Sequence, residues 1–129
     1  MHKSRLAGFI IDCHCKDLDA AAQFWGRALG LDAVRLPDPA EAEYVKLDTP
    51  EGDYHIEVQR VDHDSRVHLD IEADDIEAEA VRLEALGAKR IKQVKSWLVM
   101  EAPTGQRFCI VQPQRAGFDE AANVWDGKD

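Results

Sequence analysis

The chain has 129 residues, of which 45% are hydrophobic and 32% charged, a composition typical of one globular domain. Its formal net charge is −9 and no basic stripe is visible, which argues against nucleic-acid binding because duplex recognition needs clustered cations. No apolar run has the length of a membrane span or the form of a signal peptide, so we expect a cytoplasmic protein with no membrane partner.

The first half of the chain predicts one strand, one helix and three further strands. Residues 9–15 (FIIDCHC) alternate in character as a strand does. Asp17 is a candidate N-cap for the helix that follows, and Gly30 stands where a helix commonly ends. Three β-type runs then occur at 31–36, 42–49 and 54–61. The order is β-α-β-β-β.

The second half repeats this order. Asp70 follows Asp12 at an offset of 58 residues, and Asp75 follows Asp17 at the same offset. A strand at 67–73 and a helix ending near Gly87 precede three more strands, at 88–94, 96–102 and 107–113. The helix stripe is predicted to run through Ile76, Ala80, Leu83 and Leu86 or Gly87, and the charged helix residues are interpreted as solvated.

These elements predict an α+β domain made of two βαβββ modules in tandem, with eight mainly antiparallel strands forming a cup and two helices outside. Module 1 covers about 8–61 and module 2 about 66–112. The tail, 113–129, carries Phe118 and Trp125, which we expect to dock on the domain or on a partner chain.

Strand alternation assigns the side chains to two faces. Small and apolar residues of the first, fourth, fifth and eighth strands, Leu69 among them, are expected to pack under the helices. The opposite face is rich in groups that titrate or bind metals, although a wetted sheet face is also polar without being a site. The polar face contains Asp12, His14, His55, Glu57, His68, Asp70, Arg107 and Cys109. His2 and His63 are interpreted as surface residues, and the three cysteines as free thiols.

Three motifs resemble the vicinal oxygen chelate superfamily, and more closely its glyoxalase-like and bleomycin-resistance-like domains. They are DLDAAAQFWGRALGL after the first strand, HLDIEADDIEAEAVRLEALGA after the fifth, and APTGQRFCIVQ at the end. The resemblance covers residues 8–113. It implies the fold described above and a polar cup for a small organic molecule, and it fits a lyase or isomerase that acts next to a carbonyl.

The resemblance also implies four metal-ligand positions. In metal-dependent members a histidine on the first strand and a glutamate on the last strand of each module hold a divalent ion. These positions fall on Ile10, Glu57, His68 and Cys109. Ile10 has no ligand atom, so His68 and Glu57 are an incomplete set to which Asp12, His14, Asp70 or the Cys109 thiolate would add a third ligand. No cofactor is certain; a divalent Zn, Ni, Mn or Fe ion is the candidate.

Several readings of function stay open. In an enzyme, Glu57 would act as the base and His68, alone or through a metal, would stabilise an enolate oxygen. The ligand-binding candidates are Asp12, His14, His55, Asp70, Trp97, Arg107 and Cys109. The alternatives are a metal-free protein that binds or sequesters a drug or antibiotic, and a scaffold with a vestigial cup. We also expect a homodimer.

Overall fold

In the computed structural model, residues 1–126 are described, and they form an α+β fold with nine strands and three α-helices. The strands are β1 (His2–His14), β2 (Ala33–Arg35), β3 (Tyr44–Leu47), β4 (His55–Val61), β5 (Arg66–Ala73), β6 (Lys89–Val94), β7 (Trp97–Glu101), β8 (Arg107–Val111) and β9 (Asn123–Trp125). The helices are α1 (Leu18–Leu29), α2 (Ile76–Ala85) and α3 (Phe118–Ala121), with a 3-10 turn at Pro39–Glu41. Within this range no helix is both long and apolar enough to cross a membrane.

The α+β class is confirmed, and the element order β-α-β-β-β occurs twice, from β1 to β4 and from β5 to β8. The count of eight strands and two helices was too low. The additional elements, α3 and β9, lie in the tail, where β9 pairs antiparallel with the start of β1, so that His2 lies opposite Trp125. Phe118 is buried, and Trp125 is half-buried. The predicted docking of the tail aromatics on the domain is therefore confirmed for these two residues.

Residues 9–67 form one compact unit. Its strands β2, β3 and β4 are antiparallel neighbours. The helix α1 begins as predicted, because the Asp17 carboxylate accepts a hydrogen bond from the Ala20 amide, and it ends at Gly30 in the left-handed conformation. Six buried side chains form the core between α1 and the strands: Ile11, Leu18, Ala22, Val45, Leu47 and Val58.

Residues 1–8 and 68–126 belong to the second compact unit. In it β5 is parallel to β8, and β8, β7 and β6 are antiparallel neighbours. The N-cap of α2 is Asp75, whose carboxylate accepts from the Ala78 amide. The core under α2 consists of Ala73, Ala80, Leu98, Met100 and Ile110.

Four side-chain predictions in this second unit are wrong. Leu69 is 46% exposed, since the core under α2 reaches Ala73 at the end of β5 and not Leu69. Leu86 is 60% exposed because α2 ends one residue before it, at Ala85. Glu79 and His2 were assigned to solvent, but both are buried, since β9 and the first residues of β1 complete a polar cluster over α2.

Candidate functional site

The parallel pairing of β5 with β8 brings three ligand-type side chains onto one face of the sheet. Asp70 and Cys109 are directly opposite each other in the register. His68 stands two residues before Asp70 on the same strand, and side chains two apart on a strand point to the same side. The face assignment made from the sequence therefore holds for these three residues.

Their ligand atoms converge on one point. The Nε2 atom of His68 lies 3.5 Å from Oδ1 of Asp70 and 3.8 Å from Sγ of Cys109. One ligand atom from each residue lies within 4.8 Å of the other two. Asp70 and Cys109 are buried and the His68 side chain is 13% exposed, so the cluster is largely removed from solvent.

The Asp70 carboxylate is the member of this cluster whose hydrogen bonding is incomplete. Its Oδ1 is fully buried and has no hydrogen-bond partner among the described residues. A buried polar atom without a partner costs about 1–3 kcal/mol, and more when it is charged. A fold keeps such a group where a ligand, ion or water completes its coordination.

The arrangement fits a divalent cation better than a proton relay. In a nucleophile–histidine–carboxylate relay the two partners use different ring nitrogens, whereas here Nε2 faces both the thiol and the carboxylate. Zinc bonds of about 2.0–2.3 Å in tetrahedral geometry place ligand atoms roughly 3.3–3.8 Å apart. The two distances from His68 agree with that spacing, and a thiolate among the ligands favours a soft ion such as zinc.

An apolar wall flanks the cluster on the β7 side. Cys109 packs with Ala7 and Val111, and Trp97 and Val99 of β7 join them. Trp97 is a predicted ligand-binding residue; the structure shows it packed on this cluster, and its binding role stays a prediction. Arg107, two residues before Cys109, places Nε 3.1 Å from a carboxylate oxygen of Glu101, so its charge is partly engaged.

The remaining predicted site residues belong to the unit formed by residues 9–67. Nε2 of His55 lies 2.9 Å from Oε1 of Glu57, and both side chains are 15% exposed. Asp12 is buried, with Oδ2 3.7 Å from Nε of Arg66. The side chain of His14 is exposed. Whether these groups share a site with the His68 cluster stays a prediction.

Ile10, at the family position that should carry the module 1 histidine, is buried with 3% exposure. An aliphatic side chain offers no ligand atom. Its burial removes apolar surface from water and so stabilises the fold. Its role in this chain is therefore packing.

Two buried carboxylates outside the candidate site were not identified as such from the sequence. Glu72 accepts hydrogen bonds from Nε of Arg5 at 2.6 Å and from the backbone amide of Arg115 at 3.0 Å. Glu79 is surrounded by donors on α2, β1 and, through Ser4, β9. At the repeat offset of 58 residues, Glu79 is the equivalent of Ala21, which packs against the α1 core. This equivalence could have indicated from the sequence that Glu79 is buried.

The hydrogen bonds to Glu79 determine its charge state. Burial alone would raise the pKa of this carboxyl. Hydrogen bonds from Arg82, His2 and Ser4 outweigh burial and leave the pKa of Glu79 below its ordinary value of 4.5. The carboxylate is therefore ionised at neutral pH and fully coordinated by protein groups.

Comparison with known proteins agrees with this architecture. A family model described as a glyoxalase-like domain matches residues 8–111. No curated protein matches the sequence. Among solved structures, methylmalonyl-CoA epimerase from Mycobacterium tuberculosis is similar with a TM-score of 0.60 and 16% identity, over 84% of this chain and 87% of that one. A hypothetical protein from Bacillus halodurans C-125 gives 0.62 and 12%, over 87% and 96%.

A third similar structure is a methylmalonyl-CoA epimerase in complex with methylmalonyl-CoA and NH4+, with a TM-score of 0.58 and 16% identity. It is matched over 90% of this chain and 97% of that one. At these identities the likeness establishes the fold alone.

Proposed function

The chain belongs to the glyoxalase-like domain family of the vicinal oxygen chelate superfamily, and we propose that it is an isomerase- or lyase-type enzyme that acts next to a carbonyl group. His68, Asp70 and Cys109 would hold a divalent cation, with zinc the best match to their chemistry. The observation that supports this proposal is the convergence of Nε2, a buried carboxylate oxygen without a hydrogen bond and Sγ on one point.

The three residues balance the charge of such an ion. The Asp70 carboxylate and a Cys109 thiolate contribute two negative charges, and neutral His68 contributes a nitrogen lone pair. The bound cation supplies Lewis acidity, which polarises a carbonyl oxygen. Val99, Trp97 and Val111 exclude water from one side of the cluster and so strengthen its electrostatics.

The base remains the predicted Glu57. Its carboxylate contacts His55 at 2.9 Å and is largely shielded from solvent, which suits a group that takes up a proton during turnover. His55 would orient this carboxylate. The named activity of the methylmalonyl-CoA epimerases, which share the fold, is our reason to propose isomerase before lyase chemistry. Glu57 would take the proton next to the carbonyl, and a proton from Glu57 or solvent would return to the enolate.

The experiment is deuterium exchange at the carbon next to a thioester carbonyl. We would incubate the zinc-loaded protein with methylmalonyl-CoA and with propionyl-CoA in heavy water and follow exchange by mass spectrometry. We expect exchange with the parent protein, loss of exchange with Glu57→Gln, and loss of both metal and exchange with Cys109→Ser. Exchange that is equal in the parent and in Cys109→Ser would exclude the proposed role of the cluster.

A metal-free protein that binds a small molecule is the second candidate. The observation that favours it is the buried Ile10, which removes one of the four family ligand positions. In that case the polar face would hold a drug-like ligand without chemistry. Ligand binding that survives removal of the metal and the Cys109→Ser change would support this candidate.

We also retain the proposals of a homodimer and a cytoplasmic location. Exposed apolar side chains such as Phe24 and Val67 offer surface that a second copy would bury. Light scattering at micromolar concentration should return twice the 14.5 kDa chain mass. A return of 14.5 kDa would refute the dimer.

A further inference from the structure

The β6 edge carries an unusual concentration of positive charge. Residues 85–100 contain four cationic side chains and no acidic residue, in a chain whose net charge is −9. All four belong to β6 or to the turn that follows it. They are Lys89, Arg90, Lys92 and Lys95.

Strand register places Lys92 at the end of a row that starts in the candidate site. Asp70 is opposite Cys109, Cys109 is opposite Val99, and Val99 is opposite Lys92. Directly opposed residues in neighbouring strands point to the same face of a sheet. With strands about 4.8 Å apart, the Lys92 backbone lies roughly 10 Å from that of Cys109 and about 14 Å from that of Asp70.

A second row runs beside the first. Lys89 is opposite Glu101, and Glu101 is opposite Arg107, two residues before Cys109. Lys89, Lys92 and Arg107 therefore share the site face. Arg90 does not belong to them, since its guanidinium donates to Glu77 at 2.7 Å and to Glu84 at 3.0 Å on α2. On β6, Arg90 therefore pairs with α2, and Lys89 and Lys92 lie on the site face.

The row that leads from the cluster to Lys92 is apolar, whereas the second row holds Glu101, which pairs with Arg107. Val99 lies between Cys109 and Lys92, and Trp97 packs beside it. Lys95 places its ammonium group 5.7 Å from the centre of the Trp97 ring. The face thus offers a metal-type cluster, an apolar strip and a cationic edge, in that order.

We propose that this face binds an elongated acyl compound with a phosphate or carboxylate group roughly 10–14 Å from its reacting end, a span set by the strand spacing. The reacting end meets His68, Asp70 and Cys109. The anionic end meets Lys89 and Lys92. This inference rests on the proposed function for the first contact and on the charge of β6 for the second.

Lysines on an edge strand have a structural explanation too, because they prevent edge-to-edge pairing with other sheets. That explanation predicts an effect on aggregation and none on anion affinity. Lys89→Gln/Lys92→Gln distinguishes the two explanations. Lys16→Gln, which removes one exposed lysine in the 9–67 unit, is the control for loss of surface positive charge away from β6.

The first arm uses zinc-loaded protein and three probes: acetohydroxamate and two phosphonoalkyl hydroxamates, one with a short spacer and one that spans the distance to Lys92. We expect the long probe to bind at least about tenfold tighter than acetohydroxamate, because its second contact is intramolecular. The advantage should disappear in the double lysine variant and persist in Lys16→Gln. Equal affinity of the long probe for the parent and the double variant would overturn the inference.

The second arm does not depend on the metal site. Inorganic pyrophosphate is titrated into metal-free protein by calorimetry at low ionic strength, where surface charges are least screened. We expect the double lysine variant to bind about tenfold more weakly than the parent, with Lys16→Gln unchanged. If zinc fails to bind but this difference is seen, the proposed function fails while the β6 anion site stands. Unchanged pyrophosphate affinity, with or without aggregation of the double variant, refutes the site.

Discussion

Two regions of the unit that contains α2 hold buried carboxylates that differ in their hydrogen bonding. At the tail end Glu79 receives hydrogen bonds from Ser4 and Arg82 and lies 2.7 Å from His2. At the β5–β8 pair Asp70 is also buried, yet its Oδ1 has no hydrogen bond and lies 3.5 Å from Nε2 of His68. We interpret Glu79 as a carboxylate that stabilises the fold and propose that Asp70 is one that binds a ligand.

The largest effect is expected from truncating the satisfied carboxylate. Glu79→Ala should lower the free energy of unfolding by about 3–5 kcal/mol, because buried His2 and Ser4 and half-buried Arg82 lose the carboxylate they contact. Denaturant unfolding measures this change. Glu84→Ala, an exposed residue of the same helix that also pairs with an arginine, is the control and should change stability by less than about 1 kcal/mol. A similar loss in both variants would contradict the distinction.

The same carboxylate predicts a pH dependence. The pKa of Glu79 is lowered in the folded protein below its ordinary value of 4.5, chiefly by hydrogen bonds that outweigh burial. The folded state thus releases this proton more readily than the unfolded state, and the stabilisation is complete above pH 4.5 and is lost as the pH falls through the folded pKa. The stability difference between the parent and Glu79→Gln should narrow in this acid range. A constant difference would contradict the assignment.

Replacing Asp70, whose Oδ1 has no hydrogen bond, should raise the stability of the metal-free protein, whereas replacing Glu79 lowers stability. Asp70→Asn removes a buried charge and keeps a polar side chain of the same size, so metal-free protein should gain stability, because an amide costs less to bury than a charge. The same variant should lose zinc affinity by about 100-fold or more, because a direct ligand contributes more than the 10–100-fold expected of outer partners. Thermal unfolding with and without zinc measures both effects. Destabilisation of the metal-free variant would show that Asp70 is structural.

Glu72→Gln is the matched variant for that test, since Glu72 is two residues further along β5 and is satisfied by Arg5 and by the backbone amide of Arg115. It should lose stability and keep its metal affinity. A gain of stability in Asp70→Asn and a loss in Glu72→Gln would distinguish a metal ligand from a member of a structural ion pair.

The smallest effect concerns the tail. Trp125 donates its indole N–H to Oγ of Ser4 at 2.8 Å, and its ring lies 3.8 Å from the guanidinium carbon of Arg82. Trp125→Phe keeps an aromatic side chain but removes the indole N–H and part of the ring surface over Arg82, so we expect a loss of at least the roughly 0.5–1.5 kcal/mol of one hydrogen bond. Val124→Ala, at an exposed position on the same strand, should be near neutral. Equal effects would mean that the indole bond does not anchor the tail.

Alternation along β5 was sufficient to place His68 and Asp70 on one face, and the fold class followed from the repeated element order. Alternation alone did not bring Cys109 to Asp70. That contact needs the parallel register of β5 and β8, which single-strand patterns do not contain and which the expectation of a mainly antiparallel sheet did not include. The sequence also left Ile10 as a lost ligand position, and its burial agrees with that interpretation.

The Glu79 cluster was missed for a different reason. Its members come from β1, α2 and the tail strand β9, and they meet only because β9 pairs with the first residues of β1. A charged residue on an amphipathic helix is normally solvated, and a short strand near a chain end leaves little periodic signal. Tertiary pairing therefore overrode the local expectation for both His2 and Glu79.

We propose above all that His68, Asp70 and Cys109 together bind one divalent cation. The most direct test of this proposal is elemental analysis of protein purified without a metal-affinity step, with Cys109→Ser prepared in parallel. We expect close to one transition-metal ion, predominantly zinc, per chain of the parent protein and a large reduction in the variant. Absence of metal in the parent after incubation with zinc, or equal metal content in both proteins, would contradict the claim.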